Sequence, residues 1–304
     1  MSHPRLAVFA RQANGQVAPI RVLEGSKTGI SRSFHGIYVD IPNDEVIAPS
    51  NLSAAILVFG RTQSGNTPPR RVIQGPRTHL HSPQGVAIDN KHNELIVSND
   101  TRLSILVFDR TAKGDVAPVR EIVGPLTQIK SPQGIVVDPV HDEIILSDEG
   151  KPGEGAELSE EEAAKVKPTP SLLVFRRTDS GNVAPIRVIT GPHTGMLRPR
   201  QVQFDSQRDE LVLADRGLVQ EFRYDTPGFL AVWKRTDNGD VPPRKLIRGT
   251  QSQLTSPRSV YVDMKNGEYG AGDTNSHSIM VYPRDSSEDG HKAELIPSRP
   301  PSVQ

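Results

Sequence analysis

Oxygen-bearing side chains recur where short apolar runs end. LIVS leads into Asn99 and Asp100, IILS into Asp148, LVLA into Asp215 and YGAG into Asp273. Carboxylates and amides converging from strand ends supply hard oxygen ligands for Ca²⁺. A carboxylate so placed can also serve as a general base. The same residue types close tight turns by accepting bonds from nearby backbone N–H groups. Nitrogen ligands are fewer. Zinc chemistry would need several imidazoles on one centre, and no HxxxH spacing links His35, His79, His81, His193 and His277. The chain has no cysteine, which excludes disulfides, thiolate zinc sites and thiol nucleophiles. No P-loop, dinucleotide fingerprint or nucleophile elbow is present.

The elements that must position these residues repeat. ILVFDRTAKGDVAPVREIVG (105–124) returns as LAVFARQANGQVAPIRVLEG (6–25), ILVFGRTQSGNTPPRRVIQG (56–75), LLVFRRTDSGNVAPIRVITG (172–191) and LAVWKRTDNGDVPPRKLIRG (230–249). A shorter copy, IMVYPR (279–284), is followed by the diverged AELIPS (293–298). The other half of the unit is SPQGVAIDNKHNELIVSND (82–100), with counterparts at 34–51, 131–148, 198–215 and 256–273. One unit therefore holds four short β-branched or aliphatic strands, a to d, separated by turn residues. Pro and Gly interrupt every apolar run before a helix could form. The 49-residue spacing between the c-strand valines 58 and 107 suits a propeller blade. In the turn GNVAP and its relatives, Gly supplies a positive φ and Pro stops the loop from extending the sheet.

These units resemble NHL-type bacterial β-propeller repeats, over about residues 5–298. The resemblance implies an all-β propeller and leaves function open, since such propellers host binders, scaffolds, lyases and lactonases. Residues 1–298 are expected to form one propeller domain and 299–304 a tail. Six c strands but five a–b pairs predict a six-blade plan with the N-terminal blade incomplete. The alternative is five closed blades plus an extra N-terminal hairpin. An incomplete blade would expose strand edges to self-association or to a partner strand.

Balanced charge, 36 basic against 36 acidic residues, argues against nucleic-acid and acidic-membrane binding. No apolar run approaches the ~18 residues of a membrane span. The chain as it stands reads as cytoplasmic, and as periplasmic or secreted if a leader was removed.

Three charged positions recur. Strand a ends in Asp40, Asp89, Asp138, Asp205 and Asp263, strand b begins with Glu45, Glu94, Glu143, Glu210 and Glu268, and strand c is followed by an arginine. A b–c hairpin predicts the cross-strand pairs Glu45–Arg61, Glu94–Arg110, Glu143–Arg177, Glu210–Arg235 and Glu268–Arg284. A residue present in every blade reads as scaffold, because catalysis needs asymmetry.

Asymmetry enters at two b–c loops of adjacent blades, 149–170 and 216–229. In the first, LSEEEAAKV predicts a short helix with Ser159 as N-cap and Glu162 completing a capping box. The second adds Phe222, Tyr224 and Phe229, a candidate partner surface. Propeller geometry puts the b–c and d–a loops on one face, so the entries to strand a rim the channel. The predicted rim is His35, Gln84, Gln133, Arg200 and Arg258, with Asn99, Asp100, Asp148, Asp215 and Asp273 beside them.

Two functions fit. One is a non-catalytic propeller that binds a protein partner or small ligand through this face, with no cofactor. The other is a metal-dependent lactonase or lyase with a Ca or Zn ion in the channel, using His35, Asp100, Asp148, Asp215 or Asp273. A lactonase site of the gluconolactonase or paraoxonase kind would need a Glu at a strand-a entry, and none stands there.

Overall fold

The computed structural model describes residues 4–31, 35–151, 165–220 and 223–286. It is all β, with the strands in small antiparallel sheets that succeed one another along the chain. The N-terminal pair is β1 (Arg5–Val8) and β2 (Arg21–Glu24). The first blade follows as β3 (Tyr38–Asp40), β4 (Glu45–Ser50), β5 (Ala55–Gly60) and β6 (Arg71–Ile73). The second comprises β7 (Pro83–Asp89), β8 (Glu94–Asn99), β9 (Ser104–Asp109) and β10 (Arg120–Val123). The third comprises β11 (Pro132–Asp138), β12 (Glu143–Asp148), β13 (Ser171–Arg176) and β14 (Arg187–Thr190). In the fourth, β15 (Pro199–Asp205) and β16 (Glu210–Asp215) are joined to β19 (Phe229–Lys234) and β20 (Lys245–Ile247) through the small hairpin β17 (Leu218–Gln220) and β18 (Arg223–Thr226). The fifth shows three strands, β21 (Pro257–Asp263), β22 (Glu268–Asp273) and β23 (Ser278–Pro283).

The structure thus shows five blades, not the six-blade plan. The residues 6–25 that would open a sixth blade form a two-stranded sheet of their own, because no a and b strands are present beside them among the described residues. The segment AELIPS, the expected outer strand of the fifth blade, lies outside the described residues, as does the predicted helix in LSEEEAAKV up to residue 164. Among the described residues no helix is long and apolar enough to cross a membrane.

The second, third and fourth blades bury both faces against their neighbours. Val86 and Ile88 pack back onto Ile47, Ile56, Val58 and Ile73 of the first blade. Ala87, between them and pointing the other way, joins Ile135 and Val137 of the third. The alternation of strand side chains makes this two-sided packing possible. The innermost strands run close together. A Cβ on Gly134 would come within 2.6 Å of the Arg200 carbonyl oxygen, so only glycine lets β11 lie against β15.

The GNVAP turn does more than end a sheet. Gly65, Gly114, Gly181 and Gly239 adopt φ of +69° to +80°. Each forms a parallel bridge to the outer strand of the preceding sheet, at Leu23, Ile73, Ile122 and Ile189. Sequential sheets are thereby stitched along their outer rim by backbone bonds such as Gly114 N–H to Val72 O at 2.6 Å.

The charged repeat is also an inter-blade device, which corrects the predicted pairing within one hairpin. The residue opposite the b-strand glutamate is the one before the arginine: Glu45 faces Gly60, Glu94 faces Asp109 and Glu143 faces Arg176. The arginine lies one step beyond the strand and turns back to the preceding blade. Arg110 meets Glu45 at 3.3 Å, Arg177 meets Glu94 at 3.1 Å and Arg235 meets Glu143 at 3.2 Å. Arg284 meets Asp205 at 2.7 Å. A second arginine, from the d strand of the glutamate's own blade, completes the group: Arg71 to Glu45 at 2.6 Å, Arg120 to Glu94 at 2.8 Å and Arg187 to Glu143 at 2.5 Å. Arg11 of the N-terminal hairpin joins the fifth blade in the same way, with Glu268 at 2.7 Å.

The strand-a aspartates serve their own turns. Asp89 accepts from the Lys91 and His92 amides and from His92 Nδ1, and Asp138 does the same for Val140 and His141. His92 and His141, in the a–b turns, are therefore tied to buried carboxylates.

Because Arg177 is mostly buried between Glu94 and Asp142, Arg177→Ala is expected to cost about 2 kcal/mol, leaving the mostly buried Glu94 with Arg120 as its one arginine partner. Arg61→Ala, which gives up only the exposed Asp44, is expected to cost under about 1 kcal/mol. Urea unfolding midpoints of the two variants measure the difference.

Candidate binding site at the channel mouth

The strand-a entries converge. His35, Gln84, Gln133, Arg200 and Arg258, with Gly36, Gly134 and Gln201, line one open cavity of about 330 Å³ at the centre of the ring. Regular strand geometry puts them there, because equivalent positions on successive inner strands must face the axis. Arg200 donates to Gln133 Oε1, and Gln84 and Gln133 each donate to the Ser side chain two residues before.

The acids and amides at the strand-b ends do not line this cavity. Asn99 accepts from the His81 and Ser82 amides, Asp148 from Lys130, Ser131 and Gly150, and Asp215 from Leu197, Arg198 and Gly217. Asp273 accepts from Thr255, Ser256, Asn275 and Ser276. Each side chain thus ties the d–a connection to the b–c turn, and all four are buried. Burial pushes the Asp148 and Asp215 carboxyls up, against the backbone donors, whereas at Asp273 the donors prevail and the carboxyl lies low. Asp100 is also buried, with its amide on Ser82 O. Among the described residues no three His, Asp or Glu side chains gather as a metal cluster.

Of the aromatic residues assigned to the second inserted loop, Phe222 lies outside the described residues, and Tyr224 falls within β18. Phe229 corrects the expectation of a partner surface. It opens β19 opposite Asp215 and is buried in the core with Val202, Leu213 and Trp233. The insertion ends one residue sooner than its sequence alignment suggests, and strand alternation turns Phe229 inward.

Electrostatics at the mouth are uneven. Glu149 is 2% exposed and contacts Arg200 at 2.5 Å, Lys151 at 2.8 Å and Arg198 at 3.6 Å. Burial opposes its charge, but Arg200, then Lys151 and Arg198, outweigh burial and hold its carboxyl below the usual range. The arginines outnumber it. Burial, with Arg216, Arg258 and Arg198 nearby, depresses Arg200 to about 10, and burial with Arg198 and Arg258 does the same to Arg216. Arg258 is lowered by burial and by Arg198. The Nε atoms of Arg198, Arg200, Arg216 and Arg258 are buried without a hydrogen-bond acceptor. Four guanidiniums thus stand near one carboxylate, whose oxygens, like Gln84 Oε1, are buried without a hydrogen-bond donor in ideal geometry. His35 sits among them, and burial, followed by Arg200 and Arg258, pushes it down to about 4, so it is neutral at pH 7.

Sequence reasoning passed over Arg198 and Gln201 in this group. Both were visible as departures from the repeat. RPRQ (198–201) stands where two other blades read SPQG.

His35 generates a pH prediction. Its folded value lies below its unfolded one, so between about pH 6.5 and 4 the unfolded chain takes up a proton that the folded chain refuses. Stability therefore falls as pH drops through that window, by about 3 kcal/mol for a shift to about 4. His35→Gln should remove this component while sharing every other titration. The difference between wild-type and variant urea midpoints at pH 7 and pH 4.5 reads it directly.

No protein-family model and no curated protein matches the chain. Among solved structures, a chain from a nidogen–laminin complex superimposes with a TM-score of 0.52 at 16% identity, covering 82% of this chain and 75% of the other. At that identity the likeness speaks for the fold alone: this is an all-β propeller built from four-stranded blades.

Proposed function

We propose that the protein is a non-catalytic binding propeller whose channel mouth captures an anionic group, a carboxylate of a protein partner or small ligand, between Arg200 and Arg258. The observation that carries the reading is the excess of guanidinium over carboxylate at one cavity, Arg198, Arg200, Arg216 and Arg258 against Glu149. Placing like charges together with unused donors costs free energy that an incoming anion would recover. Charge-assisted bonds from arginine to carboxylate are directional and strong. The neutral His35 and the amides of Gln84 and Gln133 would orient such a group without adding charge. The resemblance of the repeats to NHL-type propellers and a structural neighbour named as part of a protein–protein complex both support a binding role.

Citrate and an oligo-glutamate peptide are the probes. Both are expected to raise the melting temperature at low ionic strength, with affinity falling as salt rises. Arg200→Gln and Arg258→Gln should each weaken binding about tenfold or more, the cost of losing a charge-assisted partner. Binding unchanged in both variants would overturn the reading.

A further inference from the structure

The residue that follows each b strand occupies the same place in every blade. Its backbone N–H donates to the carbonyl just before the blade's own strand a: Asp100 to Ser82, Glu149 to Ser131, Arg216 to Arg198 and Thr274 to Ser256, at 3.0 to 3.2 Å. The strand registers agree, with Pro83 opposite Asn99, Pro132 opposite Asp148, Pro199 opposite Asp215 and Pro257 opposite Asp273. The four side chains therefore leave equivalent points around the mouth.

The third blade shows what such a side chain reaches. Glu149 contacts Arg200, the entry residue of the fourth blade, at 2.5 Å. Arg200 follows Pro199 at the start of β15, and Arg258 follows Pro257 at the start of β21. Moved forward one blade, the same geometry puts Arg216 in the place of Glu149 and Arg258 in the place of Arg200. Where one junction sets a carboxylate against a guanidinium, the next sets guanidinium against guanidinium. Burial, then Arg198, then Arg258 hold Arg216 down to about 10, so the two charges act on each other. The Nε atoms of both are buried without an acceptor. Among the described residues neither has a carboxylate in salt-bridge range. Like charges held half-buried in this way cost free energy that a second anionic group would recover.

We propose that the mouth is built for a dicarboxylate, with one carboxylate between Arg200 and Arg258 and the other bridging Arg258 and Arg216. This inference rests on the anion capture proposed above and adds a second subsite to it. The Glu149–Arg200 contact is the protein's own example of the pairing that the ligand completes. A monocarboxylate satisfies the cavity and leaves Arg216 as it was. A ligand with two carboxylates a few bonds apart neutralises both places at once, and each charge-assisted pair adds to affinity. Arg216 is therefore the specificity determinant that tells a diacid from a monoacid.

The test titrates the full chain with glutarate and with butyrate at pH 7.5 and low ionic strength, by calorimetry. Glutarate is expected to bind the wild-type chain about tenfold or more tightly than butyrate. Arg216→Glu restores the charge pattern of the Glu149 junction. It should raise the melting temperature without ligand and erase the preference for glutarate, while changing butyrate affinity far less. Arg216→Gln, which removes the charge without adding one, should erase the preference as well and guards against a misfit of the glutamate side chain. Ac-Glu-Glu-NH₂ runs in parallel: tighter binding than glutarate assigns the two carboxylates to a peptide, and weaker binding assigns them to a free diacid. Equal affinity for glutarate and butyrate in the wild type, or a preference that survives both variants, overturns this inference and leaves anion capture standing. Binding of neither acid overturns both.

Discussion

A single blade cannot bury itself. Its strands are apolar on both faces, and each face is covered only by the next blade or the one before. The charged edge of that contact is closed by the arginine at the c-strand end, which leaves its own sheet and neutralises a carboxylate in the neighbour. From the first blade to the fourth, each junction combines a hydrophobic slab, a backbone bridge at the GNVAP glycine and an ion cluster. Each is modest alone. Together they couple blades that share no sheet hydrogen bonds with one another beyond the rim bridge, and they make the stability of a blade depend on its neighbours.

The same constraint explains the channel mouth. Packing five inner strands around an axis brings equivalent side chains within reach of one another regardless of what they are. In the second and third blades those side chains are uncharged glutamines whose amide nitrogens donate to the serines two residues before them. In the fourth and fifth they are arginines, and the serine before the first is replaced by Arg198. Glu149, delivered by the longest inserted loop, answers part of that charge. The insertion is thus electrostatically linked to the blade that follows it, which a view of loops as independent decoration would miss.

Buried carboxylates in this protein divide by what satisfies them. Asp89 and Asp138 hold a–b turns, and Asp148, Asp215 and Asp273 hold the d–a connections to the b–c turns. All these are backbone tasks repeated around the ring. Glu94, Glu143 and Asp205 meet arginines at the junctions between blades, and Glu149 meets Arg200 and Arg198 at the channel mouth.

Much of this was legible in the chain. Strand identity, blade order, the glycine turns and the entry residues follow from local patterning, because alternation and turn chemistry act over a few residues. Pairing across blades did not follow. A glutamate and an arginine sixteen residues apart look like hairpin partners, yet the strand register sets the arginine one step outside the hairpin. Phe229 looked like loop decoration until the sheet register made it the first core residue of a strand. The sequence by itself determined the repeating strands and which positions recur or deviate, since those depend on residue type and spacing. Only the tertiary structure decided which charges meet, that Arg198 joins the rim, and that Glu149 pairs with Arg200 and Arg198 there. Those outcomes depend on how separate sheets face one another in space.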